Sequence, residues 1–190
     1  MGIYLVDVDA QDWRGEHEGG YGAIAAGLDE ALSGRGLPPY EGPVEKSGEP
    51  EFGEKLSPSM DGFVALCRAH LTREEEELLC GWSVLVPVPL DEPVELPVGS
   101  AYTDLTVVAG APRVLALAQR LASAIGLPPM LPVATTSLGL TNWFLDGAAK
   151  ETAAARPGAW ADDLDAAFYV ALYLRAAEHS LRRGCPIVYS

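Results

Sequence analysis

The chain has 190 residues, of which 48% are hydrophobic and 21% are charged, values typical of a globular protein rather than a disordered one. Thirteen Lys and Arg residues stand against 27 Asp and Glu residues, which leaves a formal net charge of -14. Because nucleic-acid affinity depends on clustered basic side chains that neutralise phosphates, this charge argues against a nucleic-acid partner. A basic protein partner suits it better.

The length of the chain and its cysteines limit the number of domains and the cellular setting that we expect. One domain covering residues 1–190 is expected, because the chain is too short for two domains of ordinary size. Cys67, Cys80 and Cys185 are odd in number and widely spaced, which favours reduced thiols over a disulfide framework. No apolar stretch approaches the ~20 residues that span a bilayer, and the first residues lack the basic start of a secretory signal. We therefore expect a cytoplasmic protein without a membrane partner.

The amino-terminal part predicts a strand, a helix and a long loop. Residues 3–8 combine Ile, Tyr, Leu and Val and predict a strand. From Tyr21 to Leu32 apolar residues recur at helical intervals, and Gly34 supplies the stop. Residues 34–58 are rich in Gly, Pro, Glu and Ser and predict a long exposed loop.

The next segment predicts two helices followed by an extended stretch. Ser57 before Pro58 is a typical helix start, and Thr72 with Glu75 matches a capping box at the start of a second helix. Residues 82–90 are rich in valine, but their two prolines cannot donate the hydrogen bonds of a strand ladder. We expect this stretch to form an edge strand or a polyproline II segment.

The carboxyl-terminal half predicts three helices and a short final strand. They run from Pro112 to Gly126, from Thr141 to about residue 155, and from Asp162 or Asp163 to Arg183, with the strand at 187–189. Helices and strands do not alternate cleanly along the chain, which argues against a doubly wound parallel sheet. The predicted fold class is α+β, a helix-rich single domain with a small mixed sheet and a long exposed loop at about 34–58.

Two acidic residues, Asp7 and Asp9, end the first predicted strand in the sequence Leu-Val-Asp-Val-Asp. This pattern resembles the first motif of the haloacid dehalogenase-like phosphohydrolases, although Gln11 stands where that family has Thr or Val. The resemblance implies one carboxylate that attacks phosphorus and a second that acts as acid and base, with Mg²⁺ as the cofactor. The alternative is that both are ordinary acidic residues at the point where a strand meets solvent.

Polar and aromatic residues at element boundaries are candidates for a binding cleft. Tyr102 and Asp104 lie in one such segment, Asn142 and Trp143 in another, and we expect these four to line a ligand or partner site. For Asn142 and Trp143 the alternative is helix-start chemistry with the indole in the core. His179 has cationic neighbours at helical spacing, which favours a solvated surface position. The histidines and cysteines lack metal-ligand spacing, so no metal site is predicted.

The sequence therefore leaves two hypotheses of different classes. No nucleophile elbow is present, and no cysteine has an obvious base, so catalysis lacks support and the enzyme question stays open. We hypothesise a non-catalytic binding or accessory protein that acts on a basic protein partner without a cofactor. The alternative is a metal-dependent phosphohydrolase that uses Asp7 and Asp9 with Mg²⁺. The two differ in whether these carboxylates line a concave pocket or lie on a convex face.

Overall fold

The structure of the protein, a computed structural model, describes residues 2–17, 19–43, 51–99, 104–129, 131 and 137–190. In this part of the chain helices predominate and a small mixed sheet forms, which confirms the predicted α+β class. The strands are β1 (Ile3–Asp7), β2 (Gly53–Leu56), β3 (Val84–Val86), β4 (Val94–Leu96), β5 (Thr106–Gly110) and β6 (Ile187–Tyr189). The helices are α1 (Ala10–Arg14), α2 (Gly22–Gly34), α3 (Asp61–His70), α4 (Arg73–Gly81), α5 (Ala111–Ile125), α6 (Gly139–Leu145), α7 (Ala148–Ala155), α8 (Ala159–Asp162) and α9 (Leu164–Arg183).

The strand order in the sheet is β2-β1-β6-β3-β5-β4. Strands β3 and β5 are parallel, and every other neighbouring pair is antiparallel. It follows that β1, β3 and β5 all point the same way while β6 points the opposite way. We call the end of the sheet where β1, β3 and β5 finish the carboxyl end, and the opposite end, where β6 finishes, the amino end.

Both faces of the sheet are buried, because successive side chains of a strand point to opposite faces. One face carries Leu5, Leu85, Ala109 and Ile187 and belongs to the larger core, which includes the buried residues of α5 and α9. The other face carries Val84, Val86, Val108 and Val188 and packs against Trp13 of α1 and the apolar residues of α2. Helix α9 is buried continuously from Ala166 to Tyr173, which places it at the centre of the larger core.

Three strands correct the sequence-based expectations. β2 lies inside the segment 34–58 that was predicted to be an exposed loop, and it pairs with β1; residues 44–50 of that segment fall outside the described residues. β3 is central rather than an edge, because the strand ends at Val86 and Pro87 comes after it. β5 was missed, and it lies between β3 and β4.

The observed helix ends agree with the predicted ones where residues at the cap determine them. The capping box of Thr72 and Glu75 is present in both directions, and α5 and α9 end at glycines with left-handed backbone, Gly126 at φ 63° and Gly184 at φ 64°. Helix α3 starts later than expected, with Met60 as its cap. None of the helices in the described ranges is both long and apolar enough to cross a membrane.

The helix predicted from Thr141 to about residue 155 is two helices, α6 and α7. They are separated by Asp146 and Gly147, and Gly147 has a φ of 100°, a left-handed conformation that interrupts the helix. Thr141 lies inside α6 rather than at its cap. Its hydroxyl donates instead to the buried carboxylate of Glu54 at 2.6 Å.

Candidate functional site

A largely apolar pocket of about 370 Å³ opens at the amino end of the sheet. It lies where β1 and β3 begin and β6 finishes, so the strand ends and the helices beside them form its walls. The exposed side chains of Ile3 and Leu105 contribute to the lining, although large apolar residues are usually covered. The aromatic and sulfur-containing lining residues are Tyr21, Met60, Cys80, Trp82, Tyr173 and Tyr189. We call this cavity the amino-end pocket.

Trp82, a lining residue of the amino-end pocket, carries a buried hydrogen-bond donor that nothing in the described chain satisfies. Its side chain is 3% exposed, and its Nε1–H has no partner among the described residues. The indole packs edge-on against Tyr173, with ring centroids 5.8 Å apart, and against Tyr189 at 5.0 Å. These contacts fix the indole, so the donor cannot turn out to water without disturbing the core.

The Tyr173 and Tyr189 hydroxyls supply a second donor. Their oxygens are 2.9 Å apart, so one hydroxyl donates to the other. Two hydroxyls carry two protons and this contact uses one, which leaves one O–H to be satisfied elsewhere. Burial raises the pKa of both phenols above the ordinary value, so both hydroxyls keep their protons near neutral pH.

Cys80 brings a thiol to the same pocket and interacts with the buried Cys67 of α3. The contact with the Cys67 thiol lowers the pKa of Cys80, while burial opposes the shift. The pKa of Cys67 is raised, first by the same contact and then by burial. Of the two thiols, Cys80 is the one that lines the pocket.

A buried polar cluster lies at the opposite, carboxyl end of the sheet and joins three distant parts of the chain. Asp7 ends β1, His179 lies in the last turns of α9, and Cys185 follows that helix. His179 Nε2 lies 2.9 Å from Asp7 Oδ2, and the Arg182 guanidinium lies 3.2 Å from His179 Nδ1. Since Arg can only donate, Nδ1 must accept, and the imidazole proton lies on Nε2 and is donated to Asp7. The prediction that His179 is a solvated surface residue was wrong, because the residue is only 3% exposed.

Cys185 is not arranged as a catalytic nucleophile. A nucleophile and base need a free ring nitrogen facing the sulfur, whereas both nitrogens of His179 are engaged, by Asp7 and by Arg182. Burial raises the pKa of the Cys185 thiol to about 12, and the negative charge of Asp7 adds to the rise. The neutral thiol therefore predominates at neutral pH.

Asp7 and Asp9 both line a concave pocket of about 350 Å³, which we call the carboxyl-end pocket. Their carboxylates do different things. Asp9 caps α1 by accepting from the backbone N–H of Asp12 at 2.7 Å, and Asp7 accepts from His179 and from the backbone N–H of Phe52 at 3.2 Å. The pocket meets the geometric condition of the phosphohydrolase hypothesis, but each carboxylate is already held by contacts within the protein.

Comparison with protein-family models, curated proteins and solved structures found no match to this chain.

Of the four residues predicted to form a binding cleft, the structure describes Asp104, Asn142 and Trp143. Tyr102 lies outside the described residues. Asp104 is exposed and precedes Leu105 at the amino-end pocket. Asn142 is exposed on α6, whereas Trp143 is half-buried and stacks on Trp160 with centroids 6.4 Å apart. The cleft prediction for these residues stays a prediction, and the described contacts of Trp143 agree with the alternative of an indole packed against the core.

Sequence reasoning missed the polar atoms that make the amino-end pocket distinctive. From sequence, Tyr173 lies within the helix predicted to end at Arg183, and Trp82 begins the stretch 82–90 that is predicted to be extended. A usable signal was the placement of aromatic residues with polar tips at strand ends, as in Trp82 and Tyr189. The missing hydrogen-bond partner of an indole cannot be read from sequence.

Proposed function

We propose that this chain is a non-catalytic binding protein whose ligand is a small, uncharged, largely apolar molecule that carries an acceptor oxygen. The amino-end pocket is the proposed site. The observation that carries the proposal is that Trp82, whose buried Nε1–H has no partner among the described residues, is a lining residue of that pocket. An unpaired buried donor costs about 1–3 kcal/mol, so a ligand oxygen that accepts from it recovers an existing penalty.

The remaining chemistry of the pocket favours the same class of ligand. Its volume of about 370 Å³ falls in the range of roughly 300–1,000 Å³ that small-molecule sites occupy. None of its described lining residues is formally charged, so an anionic ligand finds no counter-charge there. The Tyr173 and Tyr189 pair, which also lines the pocket, carries a second hydroxyl proton that their mutual contact does not use.

A matched pair of probes, acetophenone and ethylbenzene, tests the proposal, because they differ in one carbonyl and are otherwise of similar size and shape. Isothermal titration of the full chain should show tighter binding of acetophenone, by about 2–10-fold, the equivalent of one neutral hydrogen bond. The Trp82→Phe variant keeps an aromatic wall and removes the donor. In this variant the preference for acetophenone should disappear while ethylbenzene still binds.

Trp143→Phe is the control, since it makes the same chemical change on α6, outside the described lining of the pocket. It should leave both affinities unchanged. Failure of both probes to bind the folded wild-type protein, or an acetophenone preference that survives in Trp82→Phe, would contradict the proposal.

A second candidate, binding of a basic protein segment, is favoured by an acidic groove of about 850 Å³. Its lining includes Leu78, Pro93 and Val107, which suit the aliphatic stems of Lys and Arg, and its six carboxylates outnumber one cation, Arg113. Four of the carboxylates make no ion pair within the described ranges: Glu74, Asp91, Glu92 and Glu95.

Titration with a fluorescent octalysine peptide separates groove binding from general attraction by the net charge of -14. Replacing three carboxylates of the groove by amides should weaken peptide binding much more than replacing three carboxylates elsewhere. Added salt should weaken peptide binding in every variant. Equal losses in the two variants would refute a specific groove. The groove variant is Glu74→Gln, Asp91→Asn, Glu95→Gln, and the control is Asp146→Asn, Glu151→Gln, Asp162→Asn.

The proposed setting is the cytoplasm, supported by three cysteines that are free thiols, two of them buried. The charge excess argues against nucleic acid as the ligand in either candidate.

A further inference from the structure

The side chains of Asp7, His179 and Cys185 offer one oxygen, one nitrogen and one sulfur at the same point of the protein. One ligand atom from each lies within 4.8 Å of the other two. The His179 and Cys185 side chains are buried, and the Asp7 side chain is 13% exposed. Residues that are 172 positions apart thus come together beside the carboxyl-end pocket, whose lining includes Asp7 and Cys185.

We infer that Asp7, His179 and Cys185 bind a single zinc-type divalent metal ion at the carboxyl end of the sheet. Thiolate, imidazole and carboxylate are the three ligand types of protein zinc sites, whereas Mg²⁺ prefers oxygen ligands alone. With Zn–S near 2.3 Å and Zn–N near 2.0 Å, tetrahedral ligand atoms lie about 3.3–3.5 Å apart. The observed 2.9 Å between Asp7 and His179 therefore needs only a small increase when the metal replaces the shared proton. The metal also displaces the Cys185 thiol proton, which is released to solvent.

The surroundings supply access and orientation. Three protein ligands leave one tetrahedral position for water, and the carboxyl-end pocket, which Asp7 and Cys185 line together with Asp9, Glu51 and Arg183, offers a route to the site. The backbone N–H of Phe52 holds Asp7 Oδ1 at 3.2 Å, which directs the other carboxylate oxygen toward the histidine. The ring of Phe52 packs on His179, with centroids 5.3 Å apart.

Arg182 makes a distinctive prediction about this site. A metal on His179 Nε2 requires the imidazole proton on Nδ1, where the Arg182 guanidinium now donates at 3.2 Å. Two donors cannot share that contact, so Arg182, which is exposed, must turn away when the metal binds. Arg182→Ala should therefore tighten metal binding, since it also removes a positive charge. A purely structural role of the cluster gives no reason for such an increase.

Cobalt(II) is the probe, because thiolate ligation gives Co²⁺ a charge-transfer absorption that carboxylate ligation lacks. The full chain should bind one Co²⁺ with this band, and Zn²⁺ should displace it. Loss of the sulfur in Cys185→Ser should abolish the band, and His179→Gln should weaken Zn²⁺ binding by more than the about 10–100-fold typical of an outer-shell loss. Asp9→Asn, a change in the same pocket outside the ligand set, should change the affinity by less than about threefold.

Three results would overturn the inference. They are wild-type protein that binds Co²⁺ without the thiolate band, a band that persists in folded Cys185→Ser, and an Arg182→Ala variant with weaker Zn²⁺ binding than wild type. The wild-type spectrum requires no substitution, so the inference stays testable even where a ligand variant fails to fold.

Discussion

Replacing Glu54 by Gln tests how a buried carboxylate holds β2 against α6. Glu54 is 1% exposed, and no cation in the described chain forms a salt bridge with it. Its oxygens accept instead from the backbone N–H groups of Leu140 at 2.9 Å and Thr141 at 2.8 Å and from the Thr141 hydroxyl at 2.6 Å. These amides belong to the first turn of α6, where a helix has unpaired N–H groups and favours negative charge.

The expected loss of stability follows from these contacts. Hydrogen bonds to a charged group contribute about 1.5–3 kcal/mol each, and an unsatisfied buried donor costs about 1–3 kcal/mol. Gln keeps one acceptor oxygen but places an NH₂ group against a backbone N–H, so one contact is lost and two donors face each other. We expect the free energy of unfolding to fall by about 2–4 kcal/mol, which in a domain of this size lowers the Tm by roughly 4–16 °C.

Urea unfolding followed by circular dichroism measures this change. Glu51→Gln is the matched control, because Glu51 is exposed and lies three residues earlier; its effect should stay within about 0.5 kcal/mol. A Glu54→Gln variant whose unfolding free energy also stays within 0.5 kcal/mol of wild type, at an unchanged urea dependence, would refute the assignment of the carboxylate as the anchor of α6.

Two further predictions concern ionised groups. The pKa of Glu75 is lowered, first by its hydrogen bond to Arg120 and then by the backbone N–H of Thr72, so its stabilising effect is present above the ordinary carboxyl pKa of 4.5 and is lost as pH falls through the lower folded value. Glu75→Gln should therefore destabilise the protein by about 1 kcal/mol at pH 7 and by clearly less at pH 3, as measured by urea unfolding at both pH values. For Asp7, we expect no Mg²⁺-dependent hydrolysis of p-nitrophenyl phosphate, because its carboxylate is held by His179. Turnover that requires Mg²⁺ and disappears in Asp7→Asn would instead support the phosphohydrolase hypothesis.

The elements that sequence predicts well are those whose ends are decided locally. Helix α5 starts with Pro112 near its first position and ends at a left-handed Gly126, and α9 is capped by Asp163 and ends at Gly184. Each of these features depends on a few neighbouring residues, so the printed sequence contains the necessary information.

The strands were harder because their pairing is set by distant residues. β2 has the sequence Gly-Glu-Lys-Leu, which carries no strand signal, and it forms because β1 offers an edge and Glu54 finds the amides of α6. β3 is only three residues long and ends at Val86. The prolines at positions 87 and 89 suggested an edge strand, but they come after the last residue that pairs with a neighbouring strand. Short strands in a mixed sheet depend on tertiary pairing more than on propensity.

The two sites could not be predicted from the sequence either, because they too depend on contacts between distant residues. His179 has Arg175 and Arg183 at helical spacing, which favours a solvated surface position, but the fold brings Asp7 from the other end of the chain to its ring. Trp82 was readable as a core aromatic, and only the packed structure shows an indole N–H without a partner among the described residues. A buried polar atom becomes informative once its neighbours are known.

The two proposed sites share α9 and the segment that follows it, so their independence can be tested. Tyr173 and His179 both lie on α9, Cys185 lies between α9 and β6, and Tyr189 is the last residue of β6. Substitutions at sites without shared partners usually have additive effects, within about 0.5 kcal/mol. Trp82→Phe should then leave the Zn²⁺ affinity within about twofold of wild type, and Cys185→Ser should leave the acetophenone affinity equally unchanged.

A larger cross effect would have a definite meaning. It would show that α9 or β6 moves as one body between the two ends of the sheet, and linkage then requires that Zn²⁺ changes the acetophenone affinity by the same factor as acetophenone changes that of Zn²⁺. Titrating each ligand in the presence of the other checks this equality without any substitution. Unequal factors would mean that at least one of the measured affinities does not belong to the site assigned to it, because two sites on one protein cannot be coupled in one direction only.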